Sequence, residues 1–277
     1  MRSRLNSLNN LEQRIVTGIF GVVVIVSSIL YSDLTFVLMV SLLSMLTQLE
    51  FYKLLGLDGN LPLTSYGTIC GVALVVLTYV VEKGLIGFEN YFLISPLLAM
   101  IFFIKLYKKN DLKPFTNIGF TFLGLIYVAL PFSLIIVMAM QGKNYNYEIV
   151  LGSLLLLWAT DIGAFFTGTK FGRRKLFERV SPKKSWEGAV GGAMSAAVIA
   201  VLLGFYFRTY EPWQWFCIGA IIVVTGTYGD LVESLFKRSI AIKDSGSSIP
   251  GHGGFLDRFD GLLLSAPFII TFLKLFS

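Results

Sequence analysis

Charge is scarce in this chain: Asp, Glu, Lys and Arg make up 14% of its residues, against about a quarter in an ordinary soluble domain. Hydrophobic residues account for 55% and the mean hydropathy is +0.73, so the scarcity excludes a water-soluble globule and indicates a polytopic membrane protein. Cysteine is scarcer still. Cys70 and Cys217 both lie inside apolar segments without C-x-x-C spacing, which excludes a disulfide framework and a cysteine zinc site. No repeat of solenoid or inverted-transporter period and no low-complexity tail is present. The apolar stretch after Arg14 lacks a small-residue cleavage pattern and leads into further apolar segments, so it reads as a first span rather than a removable signal. The excess of basic residues, +6 overall, does not point to nucleic acid, because in a membrane protein the location of charge matters more than its sum.

What the sequence has in abundance is runs of about 20 apolar residues, the length that crosses a bilayer as a helix. Nine segments qualify, near 15–31, 34–55, 66–81, 91–107, 117–140, 149–169, 188–207, 213–236 and 261–276. The expected fold is an all-α integral membrane bundle of about nine helices. The third and last segments are short and the fifth contains Pro131, so tilts, kinks or re-entrant turns are open there. With the N-terminus inside, one face of the membrane keeps only Lys83, Lys143, Arg208 and Lys274, and the other nineteen of the 23 basic residues fall on the cytoplasmic face. This positive-inside asymmetry puts a basic loop, 170–187, and a polar run, 237–260, on the same side, where they can form one site. Unusual polar residues concentrate from 149 onward. Residues 1–140 therefore read as scaffold helices and 141–277 as the catalytic helices of one membrane domain.

The run from Ser234 to Asp260 suits phosphate chemistry. Lys237, Arg238, Lys243 and Arg258 can meet phosphate oxygens, and Asp257 and Asp260, three apart, can face the same way on a helical turn and hold a hard cation. Upstream, Asp230, Glu233, Ser234 and Lys237 stand at i, i+3, i+4 and i+7, one polar stripe on a membrane helix. A Glu233–Lys237 pair accounts for part of that stripe and leaves Asp230 without a cation on its own helix, which makes Asp230 the strongest metal-ligand candidate. Asp161, in an apolar run, is either a helix-end carboxylate reaching interfacial water or a ligand for cation or substrate, with Thr160 beside it. The segment 245–254 is Gly-rich loop whose free N–H groups can wrap phosphate oxygens, and His252, the only histidine, is either a proton donor to a leaving phosphate or a loop hydrogen-bonder. Arg173, Arg174 and Lys175 are explained by topology or anionic-lipid contact. Ser181-Pro182-Lys183-Lys184-Ser185-Trp186-Glu187-Gly188 is more specific, a turn entering a helix whose N-terminus suits an anion. Glu50 beside Lys53 reads as a helix-end charge pair.

Taken in order and spacing, Ser234, Lys237-Arg238, Lys243-Asp244, Pro250, His252-Gly253-Gly254 and Asp257-Arg258-Phe259-Asp260 resemble the signature of the phosphatidate cytidylyltransferases, the integral-membrane CDP-diacylglycerol synthases. Residues 181–188, Asp161 with Ala164-Phe165-Phe166, and Phe171-Gly172 resemble the family too, with Ser185 where threonine is usual. The likeness covers the chain from about 150 onward. It implies cytidylyl transfer from CTP to phosphatidate with release of pyrophosphate, and a requirement for Mg²⁺, a second cation being compatible with so many carboxylates. It assigns the chemistry to Lys237, Arg238, Asp257, Arg258 and Asp260. Substrate contacts fall to Ser181, Lys183, Lys184, Ser234, Lys243, His252, Gly253 and Gly254, and metal to Asp230, Asp257, Asp260 and Asp161. The implied partners are CTP, phosphatidate and membrane lipid, without nucleic acid, and a homodimer stays open. The implied location is a bacterial inner membrane with the site facing the cytoplasm. A CTP-dependent polyprenol or phytol kinase shares the substrate and metal, but the whole 234–260 match argues against it. An ion-coupled transporter explains the carboxylates and leaves the Gly-rich loop unexplained.

Overall fold

A computed structural model describes residues 10–141, 144–242 and 253–276. Each of the nine apolar runs lies on helix. In chain order they are α1 (Asn10–Tyr31), α2 (Asp33–Leu57), α3 (Thr64–Glu82), a 3-10 turn (Phe88–Leu93) continuing into α4 (Ile94–Leu106), and α5 (Pro114–Gly124). A π-helical turn (Leu125–Ala129) then leads into α6 (Leu130–Ala139), followed by α7 (Tyr147–Phe171), α8 (Trp186–Tyr206), α9 (Pro212–Ser239) and α10 (Leu256–Phe276). Among the described residues eight spans are long and apolar enough to cross a membrane, and α1 adds a shorter apolar stretch, Ile15–Tyr31. The protein is an all-α integral membrane protein.

The fifth span is continuous from Pro114 to Ala139. Pro131 has no N–H to donate and its ring crowds the carbonyl four residues back, and the π turn immediately upstream is where the helix absorbs that mismatch. The last span begins at Leu256 rather than 261, so Asp257 and Asp260 belong to its first turns. Acidic residues there face the positive end of the helix dipole, which offsets the polarity that makes the segment look like a loop.

The alternation of charge along the chain is matched by how the ends are tied. At one end Lys83 pairs with Asp33 at 2.6 Å, Tyr145 donates to the Ile29 carbonyl at 2.6 Å, and the Thr209 backbone N–H donates to Glu148 at 3.1 Å. At the other, Lys105 donates to the Leu61 carbonyl, Glu50 accepts from Phe255 and Leu256, and Lys184 pairs with Asp230. Each tie joins chain segments that an up-and-down path of nine spans puts on the same side.

The helices pack in two groups, α2 and α3 with the α5–α6 span, and α7 with α8, α9 and α10. The helix α10 also packs on α6, so the larger cluster of buried apolar residues runs from Ile29 and Phe36 through Val128 and Phe132 to Trp215 and Leu273, and a smaller one gathers Leu63, Cys70, Ile101, Ile118 and Leu125. Between α7 and α8 the basic loop forms a small antiparallel hairpin, β1 (Lys175–Phe177) with β2 (Ser181–Ser185).

Candidate active site

The candidate site is assembled around the C-terminal end of α9. At 1.5 Å per residue its 28 residues run about 42 Å, against roughly 30 Å of hydrocarbon, so its last two or three turns can carry charge. Those turns hold Asp230, Glu233, Ser234 and Lys237. The first turns of α10 lie against them because of one glycine. A Cβ built on Gly229 would stand 2.5 Å from the Asp260 carbonyl oxygen, so only glycine lets the two backbones close to the separation that brings Asp230 beside Asp260.

One carboxylate oxygen from each of Asp230, Glu233 and Asp260 falls within 4.8 Å of the others. Glu233 is 1% exposed and its Oε1 has no hydrogen-bond partner among the described residues. Its other oxygen accepts from Lys237 Nζ at 2.6 Å, and the same ammonium donates to Asp257 Oδ1 at 2.7 Å. Lys237 is thus held between two carboxylates, and Asp257 stands one ion pair away from the three-carboxylate group. The second oxygen of Asp257 accepts from the Gly254 N–H at 3.3 Å, folding the Gly253-Gly254 turn back over the start of α10. Gly253 there has φ of +86°, which a side chain would strain. Ser234 donates to Asp230 Oδ1 at 3.3 Å.

The hairpin delivers the cation. Side chains alternate along a strand, so neighbouring lysines on β2 face opposite ways: Lys183 is exposed, while Lys184 turns in and reaches Asp230 Oδ2 at 2.6 Å and the Thr227 carbonyl at 3.3 Å. Two segments more than 40 residues apart meet there. Ser185 caps α8 by accepting from Gly188 N–H at 3.1 Å, a duty threonine performs equally well. Glu187 accepts from the Arg173 and Arg174 N–H groups at 3.0 and 3.2 Å, which pins the loop before β1. Ser181 opens β2 and is half-buried.

Asp161, on α7, is exposed, and Lys184, Asp230 and Arg258 act on it electrostatically, so it borders the same site from a third helix. Arg258 and Arg238 are exposed at the start of α10 and the end of α9. Lys243 and His252 lie outside the described residues.

One contribution comes from the half that reads as scaffold. Glu50 is 6% exposed and does not serve as a helix-end partner of Lys53, which is exposed. Its carboxylate accepts the backbone N–H groups of Phe255 and Leu256 at 3.0 and 3.1 Å, satisfying donors that the start of α10 leaves without intrahelical partners. No local pattern announces a bond across 205 residues. Glu233 was within reach of sequence reasoning, because it shares a stripe with Asp230, but its pairing with Lys237 explains it too readily.

The chain matches the cytidylyltransferase family over residues 12–276. It is 30% identical over 275 residues to the phosphatidate cytidylyltransferase of Bacillus subtilis (strain 168), covering 97% of this chain and 99% of that protein. The phosphatidate cytidylyltransferase of Staphylococcus aureus (strain COL) is 29% identical over 264 residues, covering 94% and 97%, and that of Staphylococcus saprophyticus is 30% identical over 265 residues with the same coverage. The chain belongs to the cytidylyltransferase family.

Proposed function

We propose that this membrane enzyme transfers the cytidylyl group of CTP to phosphatidate, forming CDP-diacylglycerol and releasing pyrophosphate, at a site on the cytoplasmic face of a bacterial inner membrane. The observation that carries the proposal is the group Asp230, Glu233 and Asp260, with Lys184 against it, at the interfacial end of a membrane helix. The near-full-length likeness to phosphatidate cytidylyltransferases supplies the substrates. The charge asymmetry and the bacterial relatives support the location.

The residues present fit a divalent cation such as Mg²⁺. Carboxylate oxygens are the donors a hard cation prefers, and a buried carboxylate oxygen without a partner, Glu233 Oε1, is a costly feature unless a ligand meets it. Asp230, Glu233 and Asp260 would hold it, and Asp161 borders the site as a further donor. When bound there, the cation would supply positive charge that offsets charge developing on phosphate oxygens.

The rest follows from the side chains. The nucleophile is an oxygen of the phosphatidate phosphate, already anionic, so no strong general base is needed. Its bond to the CTP α-phosphorus forms as the bond from that phosphorus to the bridging oxygen breaks, and the electron pair leaves with pyrophosphate. The work left to the protein is to hold two anions in line and to stabilise charge on the reacting centre and leaving group. Lys184, recruited from the hairpin, and Arg258 and Arg238, at the exposed inner helix ends, are the cations placed for phosphate. Lys237 neutralises Glu233 and Asp257 and keeps α9 and α10 in register. Lys183, Ser181, Ser234 and the Gly253-Gly254 turn complete the substrate surface, with Lys243 and His252 assigned by the motif.

The test is product analysis of the purified protein with CTP labelled at the α-phosphorus, Mg²⁺ and phosphatidate. Label is expected in the lipid, with pyrophosphate released only when phosphatidate is present. Label remaining in CDP would sink the proposal in favour of a lipid kinase.

A further inference from the structure

Tyr127 lies in the half of the chain to which the family motif assigns nothing, yet its oxygen is out of place as a packing element. The ring is accounted for: its centroid is 5.8 Å from that of Phe51, which in turn is 5.0 Å from Phe236 at the inner end of α9. Phenylalanine would serve that packing. The hydroxyl is buried and has no hydrogen-bond partner among the described residues, a desolvation cost that the ring contacts do not offset.

Where the oxygen sits is more informative. Tyr127 occupies the middle of the π turn Leu125–Ala129, a break in helical register of a kind that is frequent at functional sites. The turn packs against α10, and Phe132, just beyond it, lies 5.8 Å ring to ring from Phe259, the neighbour of Asp260; the carboxylates of Asp260, Glu233 and Asp230 act electrostatically on the hydroxyl from that side. One of those carboxylates, Glu233, supplies another buried oxygen lacking a partner. An unspent donor and an unspent acceptor, contributed by opposite halves of the molecule, suit an oxygen ligand that meets both.

We infer that Tyr127 is a positioning residue whose hydroxyl donates to an oxygen ligand, water or nucleotide phosphate, held at Asp230, Glu233 and Asp260, and so orients what those carboxylates bind. The inference rests on the cation reading of that group. It gives the π turn a use, since the turn is what carries the ring of a scaffold helix to the catalytic end of α9.

Binding of Mn²⁺ by electron paramagnetic resonance, with thermal unfolding in the same detergent, tests it in wild-type, Tyr127→Phe and Asp260→Asn protein. Losing a hydrogen bond in the outer shell of a metal typically weakens binding about 10- to 100-fold. Tyr127→Phe is expected to weaken Mn²⁺ by at least about ten-fold at unchanged melting temperature, and to lower kcat more than it raises KM for CTP. Asp260→Asn is expected to lose Mn²⁺ binding outright. If Asp260→Asn binds Mn²⁺ as the wild type does, the cation reading fails and Tyr127 falls with it. If Asp260→Asn loses the ion while Tyr127→Phe keeps wild-type affinity, the role of Tyr127 alone is overturned. A weakening that tracks a lowered melting temperature also overturns it, because the hydroxyl would then be structural.

Discussion

Two groups of buried charge lie at the same end of this bundle and follow opposite rules. In the first half, Lys105 and Asp111 have side chains 1% and 2% exposed. The lysine donates to Asp111 and to the Leu61 carbonyl; the aspartate accepts also from Asn117 Nδ2 at 2.6 Å and from the Lys113 N–H at 3.1 Å. One cation meets one anion, and hydrogen bonds from neighbouring segments complete the set. In the second half, three carboxylates crowd together with Lys184 and Lys237, and a buried oxygen of Glu233 is left over. Burial of charge is therefore not what separates a structural cluster from a candidate site. The difference is whether the cluster closes on itself: a closed one spends its hydrogen bonds on the fold, and an open one keeps them for a ligand.

The comparison breaks first at Asp260. Replacing Asp260 or Glu233 by its amide removes charge from the open group without leaving a cavity, so turnover should fall by about a hundred- to a thousand-fold, the size of effect expected for losing a preorganised electrostatic group. The melting temperature should hold or rise as carboxylate repulsion is relieved. Pyrophosphate release and thermal unfolding on the same preparations decide it, and near-normal turnover in both variants would end the site assignment. In the closed cluster the roles reverse. Lys105→Met strands Asp111, a loss of about 3–5 kcal/mol for a buried pair deprived of one partner, while the turnover of molecules that remain folded should stay within about two-fold. A Lys105→Met protein of normal stability and impaired turnover would show that the two clusters do not divide as argued.

A smaller effect is expected where the halves touch. Glu50→Gln keeps the size of the cap and loses its charge, so α10 should still form but with its first turn less firmly held, and turnover should drop about ten-fold with little change in melting temperature. Lys53→Ala, a change at the neighbouring exposed residue, should leave both unaltered; a variant that matches Glu50→Gln would restore the local charge pair as the better account.

Glu50 also shows where sequence stops informing. The eight spans and the shorter apolar stretch of α1 were legible because about 20 apolar residues in a row admit few other fates, and the grouping of the polar loops at one end of the bundle followed from the placing of lysines and arginines. The stripe at 230–237 was legible because helical spacing is periodic, and it foretold the Glu233–Lys237 pair at 2.6 Å. What could not be read is non-local or compensatory. The start of α10 at Leu256 is hidden by its own polar turn, whose donors are capped from a helix 200 residues earlier. The hairpin 175–185 carries too many charges and too few β-branched residues to announce a strand. The π turn is a geometric answer to Pro131, and it is that answer, not the composition of the span, that sets where Tyr127 sits against Phe51.

The gentlest probe of the contrast is pH, because the closed cluster has a definite sign. Burial works against ionising Asp111, but the ammonium of Lys105, the amide of Asn117 and the Lys113 N–H outweigh it and hold the carboxyl below its ordinary value. A group whose pKa is lowered by folding stabilises the fold fully above the unfolded value, about 3.9 for Asp, and loses that contribution as pH falls through the folded value. The acid limb of thermal stability should therefore contain a step below about pH 4 that Asp111→Asn removes. The Asp260→Asn protein, altered only in the open group, should keep that step. If the step persists in Asp111→Asn, the closed cluster is not what sets acid stability, and the distinction between spent and unspent charge loses its thermodynamic half.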